Sequence, residues 1–472
     1  MLFNSFTFVV FFIVVTGLYF QLSHRLRWAL LLAASCFFYM FFVPVYILIL
    51  AVTIAVDYVA GIWIEDTDDP RRKKLYLVGS IVTVCAVLFV FKYFNFFNEN
   101  FAALADALGW NYSIEALRIA LPIGLSFHTF QSLSYVIEVY RGRQKAERHF
   151  GIYSLYVMYF PQLVAGPIER PQNLLHQFHE RKTFDLARAQ SGLSLALWGL
   201  FKKVVVADSL AIYTEAIYSH SEHHTGATLL VATYCFAFQI YCDFSGYSDI
   251  ARGVSRVYGI ELMRNFDAPY LSRSISEFWT RWHISLSTWF KDYVYFPLGG
   301  SRVPLLRNFF NIFVVFLLSG FWHGANWTFI VWGALHAAYL AIGRLRQLLF
   351  ARIGLSTAPQ GGVRGVIACL ITFHLVLIGW VFFRATDVSQ AFAITRSILV
   401  PSGAVFWDAI LLQCALGVAV VMVCEYFIRR TGYFERLGSF PIVLRWGYAL
   451  SLLAGIALLG IERGAQFIYF QF

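Results

Sequence analysis

Two histidines stand where imidazole chemistry could be done. His283 lies in Phe278-Trp279-Thr280-Arg281-Trp282-His283-Ile284-Ser285-Leu286-Ser287-Thr288-Trp289, and His323 in Ser319-Gly320-Phe321-Trp322-His323-Gly324-Ala325-Asn326-Trp327. An imidazole takes and returns a proton near neutral pH. Setting one in an apolar span is costly, which makes each a functional candidate. His323 reads as a general base in a membrane cavity, with Gly320 and Gly324 spaced to let a backbone or ligand approach. The competing reading is a histidine that bonds to a neighbouring helix as structural glue. On a continuous helix Trp279, His283 and Ser287 would share one face. His283 would then orient a substrate or the other histidine, or else simply cap an interfacial tryptophan belt.

The remaining candidates are weaker. On one continuous helix His336 would lie about 20 Å from His323, so it reads as structural or as the far end of a channel. His128 and His374 are lone histidines in apolar segments and read as helix contacts. Asp57 is a candidate intramembrane carboxylate. Asp243 and Asp249 are six apart, off a common helical face, and do not read as a catalytic pair. His220, His223 and His224 occupy a polar loop with no second carboxylate beyond Glu222, so no metal site is expected. There is no G-x-S-x-G elbow, P-loop or H-E-x-x-H.

What must position these residues is a membrane. Of 472 residues, 59% are hydrophobic and 14% charged, against about 25% charged in soluble domains. Mean hydropathy is +0.63. The formal charge of +10 comes from basic residues in short loops between apolar runs. That is the positive-inside bias, and nucleic acid is not an expected partner. The seven cysteines include no C-x-x-C pair and read as buried thiols.

Spans are expected at 3–20, 28–42, 45–64, 75–94, 119–140, 192–218, 228–250, 308–340, 363–383, 406–427 and 443–461, for about eleven to thirteen membrane helices in all. The first reads as a retained span with its N-terminus outside the cytoplasm. The loops at 21–27, 65–74 and 141–149 are expected on the cytoplasmic side, and a long loop at 95–118 outside. Gly166-Pro167 and Pro171 mark a break. Residues 251–307 are too polar for ordinary spans and too aromatic for a free loop, so short interfacial or re-entrant helices are expected there. Lys202, Lys203 and Asp208 keep the middle of 192–218 from facing lipid.

Several runs together resemble the membrane-bound O-acyltransferase (MBOAT) family. They are Tyr241-Cys242-Asp243-Phe244-Ser245-Gly246-Tyr247-Ser248-Asp249, Asn265-Phe266, Pro269-Tyr270, Glu277 through Ser287, Leu298-Gly299-Gly300 and Trp322-His323-Gly324-Ala325. Leu121-Pro122-Ile123-Gly124-Leu125-Ser126, Ala165-Gly166-Pro167 and the opening Met1-Leu2-Phe3-Asn4-Ser5-Phe6 look most like its polysaccharide-modifying branch, which includes alginate O-acetylation. The resemblance covers nearly the whole chain.

The resemblance implies an all-α polytopic bundle around a central funnel or tunnel, with residues 1–472 as one membrane domain and a catalytic core near 119–340. It implies His323 as the catalytic histidine and His283 as the second, with Trp322, Gly324, Asn326, Trp279, Trp282 and Ser287 around the substrate path. The activity implied is acetyl transfer in the cell inner membrane. The donor would be acetyl-CoA or another acetyl thioester from the cytoplasm, and the acceptor hydroxyls of an extracytoplasmic polysaccharide such as alginate, cellulose or peptidoglycan. No large extramembrane domain is visible to grip a polymer, so periplasmic or membrane-anchored acetyltransferase partners are expected, with membrane lipid around the chain. The alternative class is a polytopic transporter of an acyl donor or small solute that makes no bond, since intramembrane histidines also serve proton relays.

Overall fold

The computed structural model describes residues 1–119, 121–354, 362–461 and 466–468. The fold is all-α and polytopic: among the described residues the regular elements are all helices, without strands. Eight of these helices are long and apolar enough to cross a membrane: Pro44–Asp66, Pro70–Ala107, Gly226–Val257, Leu305–His323, Trp327–Arg352, Val363–Arg384, Ala409–Thr431 and Ile442–Leu459. Eleven to thirteen is reached only by adding Phe6–Gln21, His24–Met40, Leu125–Tyr140 and the helix running through residues 186–218, which are shorter or more polar.

The chain packs as two compact units, Met1–Ala196 with Ile250–Met263, and Leu197–Asp249 with Arg264–Phe472. In the first, Pro44 opens a new helical segment after Met40, so the spans expected at 28–42 and 45–64 fall in two elements, His24–Met40 and Pro44–Asp66. The polar residues singled out there each make a hydrogen bond to a neighbouring helix. Thr53 Oγ1 lies 2.6 Å from His128 Nε2, and Ser80 donates to Asp57 at 2.5 Å.

Two expectations in this unit are corrected. Residues 95–107 are helical, not loop: Pro70–Leu88 continues through a π-turn at Phe89–Tyr93 into Phe94–Ala107. Phe94, Phe97, Phe101 and Leu104 repeat at helical spacing. The side chains of Asn95 and Asn98 hold the returning backbone at Leu117 and Ile114. The span expected over 119–140 begins as a helix only at Leu125; Ala120 lies outside the described residues. Gly124 has φ 79°, and a Cβ there would come 2.7 Å from the Leu163 carbonyl oxygen, so the turn before this helix depends on glycine.

In the second unit the segment from 308 to 340 is a hairpin, Leu305–His323 and Trp327–Arg352. Asn326 makes the break by capping the second helix, its side chain accepting from the Thr328 amide at 2.9 Å. A Cβ on Gly320 would lie 2.2 Å from the Phe329 carbonyl oxygen, and one on Gly333 2.3 Å from that of Phe316. The two helices thus touch backbone to backbone, as small residues permit in membranes. The expected short helices appear as Ile275–Arg281 and Ile284–Phe290, the latter passing into a π-turn at Lys291–Tyr295.

Candidate active site

His323 is the last residue of the Leu305–His323 helix, and Gly324 leaves it in extended backbone. The imidazole is 5% exposed. It is boxed by rings, with centroids 4.8 Å from Trp322, 5.1 Å from Trp332 and 5.0 Å from Phe383. The close approach read from Gly324 is made by the chain itself. A Cβ on Gly324 would lie 2.1 Å from Phe329 Cε2, and the Phe329 ring is pinned 5.0 Å from Phe383. Gly324 therefore lets this wall of the histidine pocket close.

His283 is not on a shared helical face with Trp279 and Ser287, because the helix stops at Arg281 and a new one starts at Ile284. Between them His283 takes the left-handed conformation, φ 42° and ψ 57°. A non-glycine residue there costs about 1–3 kcal/mol and persists only where its surroundings enforce it. Asn265 supplies the enforcement. Its carbonyl accepts from the Ile284 amide at 2.9 Å, its side-chain oxygen from the Ser285 amide at 3.2 Å, and its side-chain nitrogen donates to Ser248 at 3.2 Å. The His283 ring meets the edge of Phe244 at 4.5 Å and lies 6.1 Å from Trp322. Trp322 thus touches both imidazoles. Burial pushes the His283 imidazole down to about 3, so it is neutral at physiological pH.

The other candidates divide. Trp282 is 2% exposed and packs on Trp380, Phe266 and Tyr270, a scaffold role. Asn326 is a helix cap. Trp279 and Ser287 line a cavity of about 940 Å³ whose walls are largely apolar. Neither histidine lines it. Ser287 donates its amide to the His283 carbonyl, one helical turn away, and Ser319, also on the cavity wall, is one turn before His323. Five cations border this cavity: Arg273, Lys291, Arg344, Arg346 and Arg364. His336 is also nearer than a continuous helix would allow, because the hairpin folds it back and Trp332 contacts both rings, 5.1 Å from His323 and 4.9 Å from His336.

Sequence reasoning missed what Asp243 and Asp249 do. They face two lysines that a π-turn at Lys202–Ala207 directs inward. Lys202 pairs with Asp249 at 2.7 Å, and Lys203 with Asp243 at 2.6 Å and Asp208 at 2.8 Å. Asp243 also accepts from the Ile468 amide at 2.7 Å. Their spacing of six sends them to two partners, which ties the helix bearing Phe244 and Ser248 in place. Ser248 could have been found, since it lies four residues after Phe244 on the His283 side. His374, as expected, is a helix contact, 2.7 Å from the Tyr234 hydroxyl. Among the described residues no group of three or more His, Cys, Asp or Glu side chains is placed to hold a metal ion.

The model of the family described as MBOAT, membrane-bound O-acyltransferase, matches residues 148–383, a segment that contains both histidines. The chain is 39% identical over 394 residues to the Pseudomonas aeruginosa protein named "Probable alginate O-acetylase", covering 83% of this chain and 73% of that one. It is 34% identical over 395 residues to the "Peptidoglycan O-acetyltransferase" of Helicobacter pylori, covering 78% and 73%. With the "Teichoic acid D-alanyltransferase" of Bacillus subtilis it shares 26% over 272 residues, 55% and 68% of the two chains.

Proposed function

The chain belongs to the membrane-bound O-acyltransferase family, and from that premise we propose that this multi-pass membrane enzyme moves an acetyl group from a cytoplasmic thioester, acetyl-CoA or a related donor, to hydroxyls of an extracytoplasmic polysaccharide. Residues 1–472 act as one membrane domain with the catalytic core in 119–340, in the cell inner membrane. The relatives named for alginate and peptidoglycan support a glycan acceptor. The transfer to the polymer is made directly or through a periplasmic or membrane-anchored acetyltransferase partner.

The observation that carries this reading is the pair of buried imidazoles that both neighbour Trp322, each one turn from a serine on the wall of an apolar cavity that five cations also line. In the proposed step His323 accepts the proton of the acceptor hydroxyl as its oxygen attacks the thioester carbonyl. The carbon–sulfur bond then breaks, the ester forms, and the imidazolium returns the proton to the departing sulfur. His283, neutral, donates a hydrogen bond to the oxygen that gains charge in the tetrahedral intermediate. The aromatic walls exclude water, which would otherwise compete as acceptor. Arg273, Lys291, Arg344, Arg346 and Arg364 suit the phosphates of a nucleotide-linked thioester.

The rim tests the donor assignment. Replacing Arg346 and Arg364 together with glutamine should raise the KM for acetyl-CoA about three- to tenfold, with kcat within twofold, because exposed charge pairs each contribute modestly. The difference from wild type should shrink in high salt. An unchanged KM at low salt would remove the cavity mouth from donor binding.

A further inference from the structure

His336 is held in a way that a simple helix contact does not require. It lies in the middle of the Trp327–Arg352 helix and is 0% exposed. Its Nδ1 accepts a hydrogen bond from the indole Nε1–H of Trp279 at 3.3 Å. An imidazolium has no acceptor nitrogen, so this bond requires a neutral ring with its proton on Nε2. Nε2 in turn finds no hydrogen-bond partner among the described residues. It lies against Gly379, where a Cβ would come within 2.8 Å of it. The ring lies nearly parallel to those of Phe278 and Phe316, at 12° and 21°, with centroids 6.5 and 6.2 Å away. Its orientation is therefore set by the Trp279 indole, by Gly379 and by these two rings. A buried donor left without a partner is a cost that native proteins seldom carry without a reason.

The reason lies in what His336 holds. Trp279 is half-buried and forms part of the wall of the large cavity, which Ser287 and Ser319 also line. Trp332, whose ring also contacts His336, is one of the rings against which His323 packs. Trp279 and Trp332 are themselves in contact, 5.6 Å apart and nearly perpendicular.

We propose that His336 is a positioning residue for the donor: its Nδ1 fixes the Trp279 wall of the cavity relative to Trp332 and hence to His323, with Gly379 kept free of a side chain to admit the ring. The proposal rests on the donor reading given above. His336 takes no proton from substrate and touches no reacting atom.

The test uses the full chain in proteoliposomes with acetyl-CoA as donor. His336→Phe keeps an aromatic ring of similar volume and removes the acceptor. It should raise the KM for acetyl-CoA about five- to tenfold, the worth of one neutral hydrogen bond, with kcat within about threefold and an unchanged melting temperature. His336→Asn places an oxygen where Nδ1 was and should restore most of the affinity. Trp279→Phe should reproduce the rise, and combining it with His336→Phe should add little, because the pair acts as one unit. Gly379→Ala should mimic His336→Phe with the histidine present. Additive effects of the two Phe substitutions, or a KM unchanged in His336→Phe while the Arg346/Arg364 replacement still raises it, would overturn the inference and leave the donor reading standing. A wild-type protein whose transfer does not respond to acetyl-CoA would overturn both.

Discussion

Replacing His323 with alanine abolishes detectable acetylation of the polymer while the protein reaches the membrane in normal amount. Proton transfer by a positioned side chain is worth roughly 10²–10⁴-fold in rate, or about 3–5 kcal/mol of barrier, so the residual rate falls below ordinary detection. The loss is not attributable to the fold. The ring packs on Trp332 of the partner helix, but the close backbone approach of the two helices is made at Gly320 and Gly333 and does not depend on the imidazole. Removing a buried ring leaves a cavity that costs stability, so the amount of variant in the membrane and its melting temperature are measured beside activity. Acetylation near the wild-type level in a folded His323→Ala protein would exclude the residue from catalysis.

His283→Gln gives the second large effect, a fall in turnover of about a hundredfold or more with little change in thermal stability. The expected size is that of displacing one donor from a developing oxyanion, because the glutamine amide, though itself a donor, does not reproduce the position of the imidazole N–H. His283→Asn is the cleaner companion, because asparagine tolerates the left-handed backbone at this position better than most residues. Asn265→Ala provides the complementary case: it keeps the imidazole but removes the side-chain oxygen that accepts from the Ser285 amide. If His283 acts through its placement, Asn265→Ala lowers kcat as well. If His283 only packs against Phe244 and Trp322, both His283 variants turn over near the wild-type rate.

Much of this arrangement is legible in the sequence. Composition and apolar runs indicate a polytopic helical protein. His323 and His283 stand out because an ionisable ring in hydrocarbon needs a reason. The conformation at 283 was hidden. No glycine or proline interrupts 278–289, so the spacing of Trp279, His283 and Ser287 looks like one continuous helix. The break is imposed from a distance in sequence, by Asn265 and Ser248. The turn after His323 was more open to reading, since Asn326 before an apolar run is a helix-start signal. Once that cap is recognised, the 20 Å separation of His323 and His336 no longer follows. The partners of Asp243 and Asp249 were out of reach, because a π-turn shifts the facing of Lys202 and Lys203 away from 3.6-residue periodicity. The helix over 95–107 was missed because its Asn and Glu residues suggested solvent, whereas its phenylalanines repeat at helical spacing.

Acyl transfer and passive conduction of a donor differ in the fate of one carbon–sulfur bond. The most direct measurement follows acetyl-CoA labelled separately in its acetyl group and in its CoA moiety, supplied to one face of proteoliposomes with alginate and peptidoglycan fragments, and any extracytoplasmic partner, on the other. An acyltransferase working through His323 releases free CoA on the donor side and leaves acetyl label bound to glycan, and the His323→Ala protein does neither. Both labels crossing together, or normal transfer by folded His323→Ala protein, would contradict the central claim.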